Sequence, residues 1–463
     1  MDTKETNSMA GGETRRDFIK KTATAAAGVA ATGIFKTPVY GQNTAPSAGR
    51  VIGANDRIVV AYVGVGGQGM AHVTAQKSHA SENNIVQAAV CDVWKKRLDE
   101  SKAFIELENP GAKVEAFDDY RKLLDRKDID AVTVSTVDHW HTRVSVDAMN
   151  AGKHVYVEKP MTRYLGEAFE IYDTVKKTGK TLQVGSQGCS DMKWHKAADL
   201  VRSGRIGQLL MCQGSYMRNS PAGEWNQYKI DDAAQPATIN WDSWMGAQIK
   251  NRVPFNPEHY FRWRKYYPYC AGLLSDLFPH KLHPYMLATG NPEFPVRVAC
   301  VGSRKVESDK LTPGSQIRDV PEIVQLIAEF PSGMVMHITS SSVNETGTQE
   351  LIRGHKANLF MAGNKVDLKP EKPFSEEMEP EQFTGFQPED VPPHEKDWFD
   401  CIRSGKLPNA NIELAIRVQT VISLGEMSER LNVMCLFDEK TRKIHTGDGK
   451  EVTPITYGTL PLS

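Results

Sequence analysis

The chain has 463 residues, with 56 Lys and Arg against 57 Asp and Glu, a formal charge of −1 and 40% hydrophobic residues, which is material for a globular protein of two domains. So even a balance lacks the basic excess of a nucleic-acid or anionic-membrane binder. No apolar stretch in the body of the chain reaches the roughly 18 residues that cross a bilayer.

In chain order, Arg15-Arg16 comes first, followed by Asp17, Phe18, Ile19 and Lys20, and then by an Ala-rich, weakly apolar run over 22–35. A charged stretch before a short apolar one reads as a signal peptide and is too short for a membrane span. The arginine pair followed by Phe and Lys resembles the twin-arginine signal, whose passengers fold before export. We therefore expect 1–41 to be a signal peptide and 42–56 a flexible lead-in. The mature protein is then expected to be periplasmic or otherwise exported, with the twin-arginine machinery as a partner. The seven cysteines (Cys91, Cys189, Cys212, Cys270, Cys300, Cys401 and Cys435) are scattered, with no C-x-x-C pair. They fit single buried thiols better than a disulfide framework.

Residues 57–63, RIVVAYV, are an unbroken apolar run of the kind buried on both faces of a parallel sheet. The loop Gly64-x-Gly66-Gly67-Gln68-Gly69 follows at once, with a helical segment from Met70. Such glycines permit a tight turn and let backbone N–H groups approach a pyrophosphate at a helix N-terminus. A second strand over 85–90 ends at Cys91-Asp92, about twenty residues beyond the loop. An acid there accepts hydrogen bonds from ribose hydroxyls and repels a 2′-phosphate, which favours NAD over NADP. The plainer role for Asp92 is to cap the next helix. The alternation continues with a strand over 131–136, a helix over 141–150, a strand over 155–157, a helix over 165–177 and a strand over 182–185. This order predicts an α/β fold, with a doubly wound parallel sheet over 57–185.

At AGKHVYVEKP, residues 151–160, the sequence resembles the signature of the glucose–fructose oxidoreductase/inositol dehydrogenase (Gfo/Idh/MocA) family. The likeness includes the glycine loop, Thr136 in STVDHWH, GSQ at 185–187, DLVRSGRIGQL at 199–209 and INWDSWMG at 239–246. It continues through LLSDLFPHKLH at 273–283 and HEKDWFDCIRSGKLPNA at 394–410. The resemblance implies an N-terminal Rossmann domain and, over 186–463, an α+β domain with a large, open, mostly antiparallel sheet. The free face of that sheet is expected to pair subunits into a homo-oligomer. Alternating segments over 325–330 and 335–339, about the turn Pro331-Ser332-Gly333, agree with such a sheet. NAD would be held by Gly64, Gly66, Gly67, Gln68, Gly69, Asp92, Thr136, His141, Glu158 and Lys159. A carbohydrate would meet Lys159, Asp276 and His280.

Oxidising an alcohol needs a hydride acceptor, a base for the hydroxyl proton and a positive group to steady the developing alkoxide. His280 suits the proton transfer because imidazole titrates near working pH. Lys159 would hydrogen-bond the reacting oxygen, and Asp276 would orient the sugar or His280. Asp276 and His280 lie four apart, and a continuous helix over 273–288 would place both on one face. Where the family often has Asp three residues after this His, the chain has His283. Asp276, His280 and His283 could then make a metal cluster, but the spacing offers no further ligand and no metal is expected. Trp140, His139, Arg262, Trp263 and His283 are candidates for the substrate wall. So are the aromatic residues that crowd the stretch up to Tyr269, including Trp225, Tyr228, Trp241, Trp244, Tyr260, Tyr266 and Tyr267, with Arg264 among them. An ordinary loop core is the competing reading of these residues.

The expectation is an exported NAD-dependent oxidoreductase that moves a hydride to or from a secondary hydroxyl of a sugar, glycoside or cyclitol. Its cofactor would be tightly bound, since no pool outside the cytoplasm replaces it. One alternative is a glycoside hydrolase that uses NAD transiently, by oxidation, elimination, addition of water and re-reduction. A second is a sugar- or nucleotide-binding protein without catalysis. The intact Glu158-Lys159-Pro160 favours plain redox chemistry.

Overall fold

Six short strands build the first sheet of the computed structural model, which describes residues 57–107 and 113–460. The signal segment and lead-in expected over 1–56 lie outside the described residues. The strands are β1 (Ile58–Val63), β2 (Ile85–Cys91), β3 (Glu115–Phe117), β4 (Ala131–Val134), β5 (His154–Glu158) and β6 (Leu182–Gly185). They pair in parallel in the order β3-β2-β1-β4-β5-β6. The order reverses between β1 and β4, and this leaves a crevice outside the carboxyl ends of the strands.

Alternate residues of these strands enter two different cores. Ala61, Val63, Val132, Val134, Val155 and Val157 pack on one face. Val60, Tyr62, Ala131 and Tyr156 pack on the other. Burial on both sides is why the strands read as unbroken apolar runs. The crossovers carry α1 (Gly67–Ser78), α2 (Lys95–Glu106), α3 (Tyr120–Leu124), α4 (Asp138–Asn150) and α5 (Leu165–Thr178). Helix α1 starts at Gly67, three residues before the expected Met70, and α4 starts at Asp138 rather than His141. In α4 the extra turn places an acidic residue at the positive end of the helix dipole.

Beyond Gly185, α6 (Met192–Arg202) leads into an eleven-stranded sheet. Its long strand β7 (Leu209–Asn219) lies beside β10 (Val335–Ser341) in parallel. The other pairings are antiparallel, including β8 (Arg297–Ser303) with β9 (Ile323–Glu329), β9 with β10, and both β11 (Val343–Asn344) and β12 (Leu351–Gly354) with β7. One face of the sheet buries Val298, Cys300, Leu326, Ala328, Met336 and Ile338. The helices of this half are α7 (Leu273–Asp276), α8 (Pro279–Ala288), α9 (Val391–Ser404) and α10 (Ile412–Leu431). Helix α10 packs on both α5 and β8. Helix α9 returns to the first sheet, where Trp398, Phe399 and Ile402 share a core with Ile58, Val60 and Val73. All seven cysteines are unpaired and buried. Among the described residues no helix is long and apolar enough to cross a membrane.

Burial holds several histidines neutral. The imidazoles of His139, His154 and His280 are pushed down to about 3, and those of His259, His283 and His394 to about 4. Their unfolded pKa is near 6.5, so below that pH the unfolded chain binds more protons and stability falls. His72 behaves oppositely. Burial opposes its charge, but the hydrogen bonds it donates to Glu158 and Glu395 win and raise its pKa to about 10. Its contribution is complete below about pH 6.5 and disappears as the pH rises toward 10. The melting temperature should therefore peak near pH 6.5 and fall on both sides. A melting temperature that is level from neutrality down to about pH 4 would contradict the acid limb.

Candidate active site

A cleft of about 1020 Å³ runs along the carboxyl ends of the parallel strands, from the glycine loop to His280. Its nucleotide half is shaped by bare backbone. Gly64 has φ +84°, and a Cβ there would lie 2.6 Å from the Ser135 carbonyl oxygen. A Cβ on Gly69 would lie 2.0 Å from the Gly64 carbonyl oxygen, so the loop closes only without side chains. Gly66 caps α1, and Gly67 and Gln68 begin it on the cleft wall. The first N–H groups of a helix have no intrahelical acceptor and can face a phosphate. Asp92 accepts from the Val65 amide through Oδ2 and from the Trp94 amide through Oδ1, both at 3.0 Å. It thus pins the loop and the entry to α2, and also lines the cleft with lone pairs to spare. Arg97, five residues on, lies across the faces of Trp94 and Tyr260 beside Gly66. Asp138 lines the same cleft and is buried, with Oδ2 meeting no partner among the described residues. A bare glycine loop, an acid at the ribose position and an orphaned acceptor together fit NAD.

The reaction half is organised by one carboxylate. Asp276 Oδ1 accepts from Lys159 Nζ at 2.9 Å and from Arg264 Nε at 3.0 Å, while Oδ2 accepts from Trp225 Nε1 at 3.0 Å. Lys159 Nζ also donates to the Asp276 carbonyl at 2.9 Å. Burial would raise the Asp276 pKa, but Lys159 and Arg264 hold it far below the usual carboxylate range. Burial would lower the Lys159 pKa, but Asp276 keeps it raised. His280 lines the cleft beside them, with its ring 5.4 Å from that of Tyr216. Burial, seconded by the Lys159 ammonium, keeps it neutral down to about 3, so it does not titrate near working pH as its residue type suggests.

The structure gathers Lys159, Asp276, His280, Gly64, Gly66, Gly67, Gln68, Asp92, Thr136, His141, Glu158, Trp140 and Trp263 on this cleft. Some of them are already committed elsewhere. His141 places Nδ1 2.7 Å from the Pro160 carbonyl and Nε2 3.1 Å from the Thr136 carbonyl, so it shapes the wall rather than reaching a ligand. Glu158 accepts from His72 at 2.8 Å and from Gln68 at 3.3 Å. Two expected substrate residues lie outside the cleft. Arg262 is buried against Glu258 at 2.7 Å and the Asn226 carbonyl at 2.9 Å. His283 is buried with Nδ1 3.1 Å from the Pro279 carbonyl. The expected continuous helix is two helices, because α7 stops at Asp276 and Pro279, which has no N–H, begins α8. That break turns His280 toward the cleft and His283 into the core. Among the described residues no group of three or more His, Cys, Asp or Glu is placed to hold a metal ion.

Arg97, Asp138, Tyr216 and Arg218 were not singled out by role in the sequence, and Trp225 only as an aromatic of the substrate wall. Arg97 and Asp138 sit within or next to recognised motifs and were within reach. Trp225 is 51 residues from the carboxylate it meets, and no local pattern announces it.

Gly69 and Gly67 give a matched test of the loop. Gly69→Ala forces a Cβ against backbone and should destabilise by about 1–3 kcal/mol while emptying the nucleotide site. Gly67→Ala has no atom within 4 Å of the new Cβ and should leave the fold intact. Melting temperature and bound-nucleotide content check both, and equal behaviour of the two variants would sink the account.

Residues 58–186 match the family described as "Oxidoreductase family, NAD-binding Rossmann fold". A "Glycosyl hydrolase family 109 protein" of Shewanella pealeana is 29% identical over 46% of this chain and 50% of its own length. An "Alpha-N-acetylgalactosaminidase" of Shewanella oneidensis is 29% identical over 46% of this chain and 50% of its own. The chain thus spans about half the length of the curated relatives it matches. Among solved structures, a levoglucosan dehydrogenase in complex with NADH and levoglucosan covers 82% of this chain and 99% of its own at a TM-score of 0.63 and 17% identity. An oxidoreductase domain protein from Kribbella flavida covers 83% of this chain and all of its own at 0.63 and 18%. These likenesses establish the fold over both sheets. Over residues 58–186 the chain matches the Gfo/Idh/MocA oxidoreductase family, with its NAD-binding Rossmann fold.

Proposed function

We propose that the protein is an exported oxidoreductase that moves a hydride between tightly bound NAD and a secondary hydroxyl of a sugar, glycoside or cyclitol. The observation that carries this reading is the Lys159–Asp276 ion pair at 2.9 Å, set beside His280 in the cleft that holds the glycine loop. Export rests on Arg15-Arg16 and the apolar run behind it.

When bound, the nicotinamide supplies the hydride acceptor. Lys159 sits at the carboxyl end of β5 and gives two hydrogen bonds to Asp276. Its ammonium has one more N–H for the reacting oxygen, whose negative charge grows as the hydride departs. Asp276 keeps that ammonium charged and aimed. His280 is neutral, and the unprotonated nitrogen of its ring can accept the hydroxyl proton.

Tight retention of the nucleotide is supported by a roof. Asp242, Ser243, Trp244, Gly246 and Ala247 of the segment 231–248 line the cleft. Asn240 donates its amide to the Val93 carbonyl at 2.9 Å, Trp140 Nε1 donates to the Trp244 carbonyl at 2.8 Å, and Lys96 pairs with Asp231 at 2.5 Å. These contacts fasten the segment to the nucleotide half.

The same roof favours one second reading. A cofactor that stays in place suits redox-neutral cleavage of a glycoside, and two of the relatives that match this chain carry glycosidase names. In that reading Lys159 and His280 serve an oxidation that labilises the neighbouring C–H bond, and the aglycone leaves by elimination.

Lys159→Ala should lower kcat by at least about a hundredfold and leave the bound nucleotide in place, because the glycine loop is untouched. Neither Lys159 nor His280 titrates near neutrality, so kcat/KM should be level between about pH 4 and pH 10. A bell centred near pH 6.5 would show that His280 is not held neutral. Mass spectrometry of glycosides incubated with the protein separates the two readings. A product that retains the aglycone and has lost the hydrogens of one oxidation marks a dehydrogenase. Free aglycone with an unoxidised sugar and no added NAD marks the hydrolase.

A further inference from the structure

The polar groups on the reaction wall are unevenly spent. Asp276 Oδ1 already accepts from Lys159 and Arg264, and Oδ2 accepts from Trp225. Glu158 Oε1 accepts from His72 and Gln68, and its Oε2 accepts from the Lys159 amide at 3.2 Å. Most of the acceptor sites of Asp276 and Glu158 are therefore taken by protein donors. The donors are in a different position. Arg264 uses Nε on Asp276, and among the described residues its Nη1 and Nη2 meet no acceptor. Its guanidinium lies 4.2 Å from the centre of the Trp263 ring. Arg218 and Lys229 line the same wall. Arg218 is partly committed, to Glu224 at 2.7 Å, and Lys229 is exposed.

This imbalance selects among carbohydrates. A ring that carries only hydroxyls donates about as many hydrogen bonds as it accepts, and its site needs open acceptors. A carboxylate only accepts, and it matches a planar guanidinium in bidentate fashion. The open carboxylate oxygen, Asp138 Oδ2, lies at the head of α4, where one hydroxyl or the nucleotide can use it. We propose that the substrate carries a carboxylate, as a uronic acid or its glycoside does, and that Arg264 is the residue that reads it. The sugar ring lies against Trp263 and Tyr228, with the acid group on the Arg264 fork. The reacting hydroxyl, on another carbon of the same ring, points to Lys159 and His280. This assignment rests on the oxidoreductase reading for the position of the hydroxyl, but binding of the acid does not require turnover.

The test uses the purified, nucleotide-loaded protein and matched pairs of p-nitrophenyl glycosides that differ only in whether C6 is an alcohol or a carboxylate. The pairs cover gluco, galacto and manno configurations and both anomers. Binding is read by calorimetry, and turnover by reduced-nicotinamide absorbance and mass spectrometry. At least one uronide should bind about tenfold or more tightly than its neutral partner. That preference should shrink as salt rises. In Arg264→Gln the ratio should collapse toward one. Arg264→Lys should recover part of the preference, since the charge remains and the fork does not. The proposal is overturned if no uronide in the panel binds, if neutral glycosides bind as tightly as uronides, or if the preference survives in Arg264→Gln. A uronide that binds with the expected preference but is neither oxidised nor cleaved would uphold this inference and remove the oxidoreductase reading, so the two fail separately.

Discussion

The carboxylate of Asp276 is the constraint around which the reaction end of the cleft is built. It brings together Lys159 from the end of β5, Trp225 from the loop after β7 and Arg264 from the segment before α7. An anion this deeply placed is costly unless paired, and removing one partner of such a pair typically costs about 3–5 kcal/mol. Here two cations and an indole N–H share it, so no single contact carries the whole compensation. The arrangement ties the nucleotide sheet to the second half of the chain at the point where chemistry is expected. It also fixes the charge of Lys159, because the Asp276 carboxylate holds the ammonium protonated against the burial that would neutralise it.

Trp225 shows how much surrounding structure this carboxylate demands. Its backbone adopts φ +68°, a conformation that bulky side chains rarely take. The strain is held by a buried ionic group behind it. Lys265 pairs with Glu258 at 2.6 Å and with Asp309 at 3.1 Å, Arg318 pairs with Asp309 at 2.8 Å, and Asn226 donates to Asp309 at 3.0 Å. The stretch read in the sequence as aromatic faces for a sugar is thus partly a scaffold. Arg262 and Lys265 hold the loop in place, while Trp263 and Arg264, their immediate neighbours, face the cleft.

This division marks what could be read from the sequence. The parallel half was legible because its strands are buried on both faces and its helices have ordinary periods, and the glycine loop, Asp92 and Lys159 occur at fixed offsets from those strands. Strand β3, three residues long and largely exposed, left no apolar signature. Helix α2 opens with Lys95-Lys96-Arg97, and its charge masks an apolar stripe of Leu98 and Ile105. At the site, residue types announced Lys159, Asp276 and His280, but not the break at Pro279 that separates His280 from His283. Arg262 and Arg264 are indistinguishable by type and spacing. Only the fold shows that one is spent on Glu258 and the other is open to the cleft.

The tail motif HEKDWFDCIRSGKLPNA has its explanation in the same electrostatics. A helix that packs on a buried sheet has no evident use for an acid, yet Glu395 of α9 is almost wholly buried. It meets His72 of α1 at 2.6 Å and Gln76 at 2.9 Å, while His72 meets Glu158 at 2.8 Å through its other nitrogen. One protonated imidazole thus bridges two carboxylates, one at the end of β5 and one from a helix more than two hundred residues later. His394, next in the motif, puts Nε2 2.9 Å from the Val184 carbonyl on β6 and Nδ1 2.6 Å from Ser190 Oγ. Glu158 is adjacent to Lys159, and His72 lies on the helix that the glycine loop begins. Removing Glu395 would leave His72 with one counter-ion instead of two and loosen both the loop helix and the residue beside the reactive ammonium. The tail motif is therefore part of the cofactor cleft although none of its residues enters it.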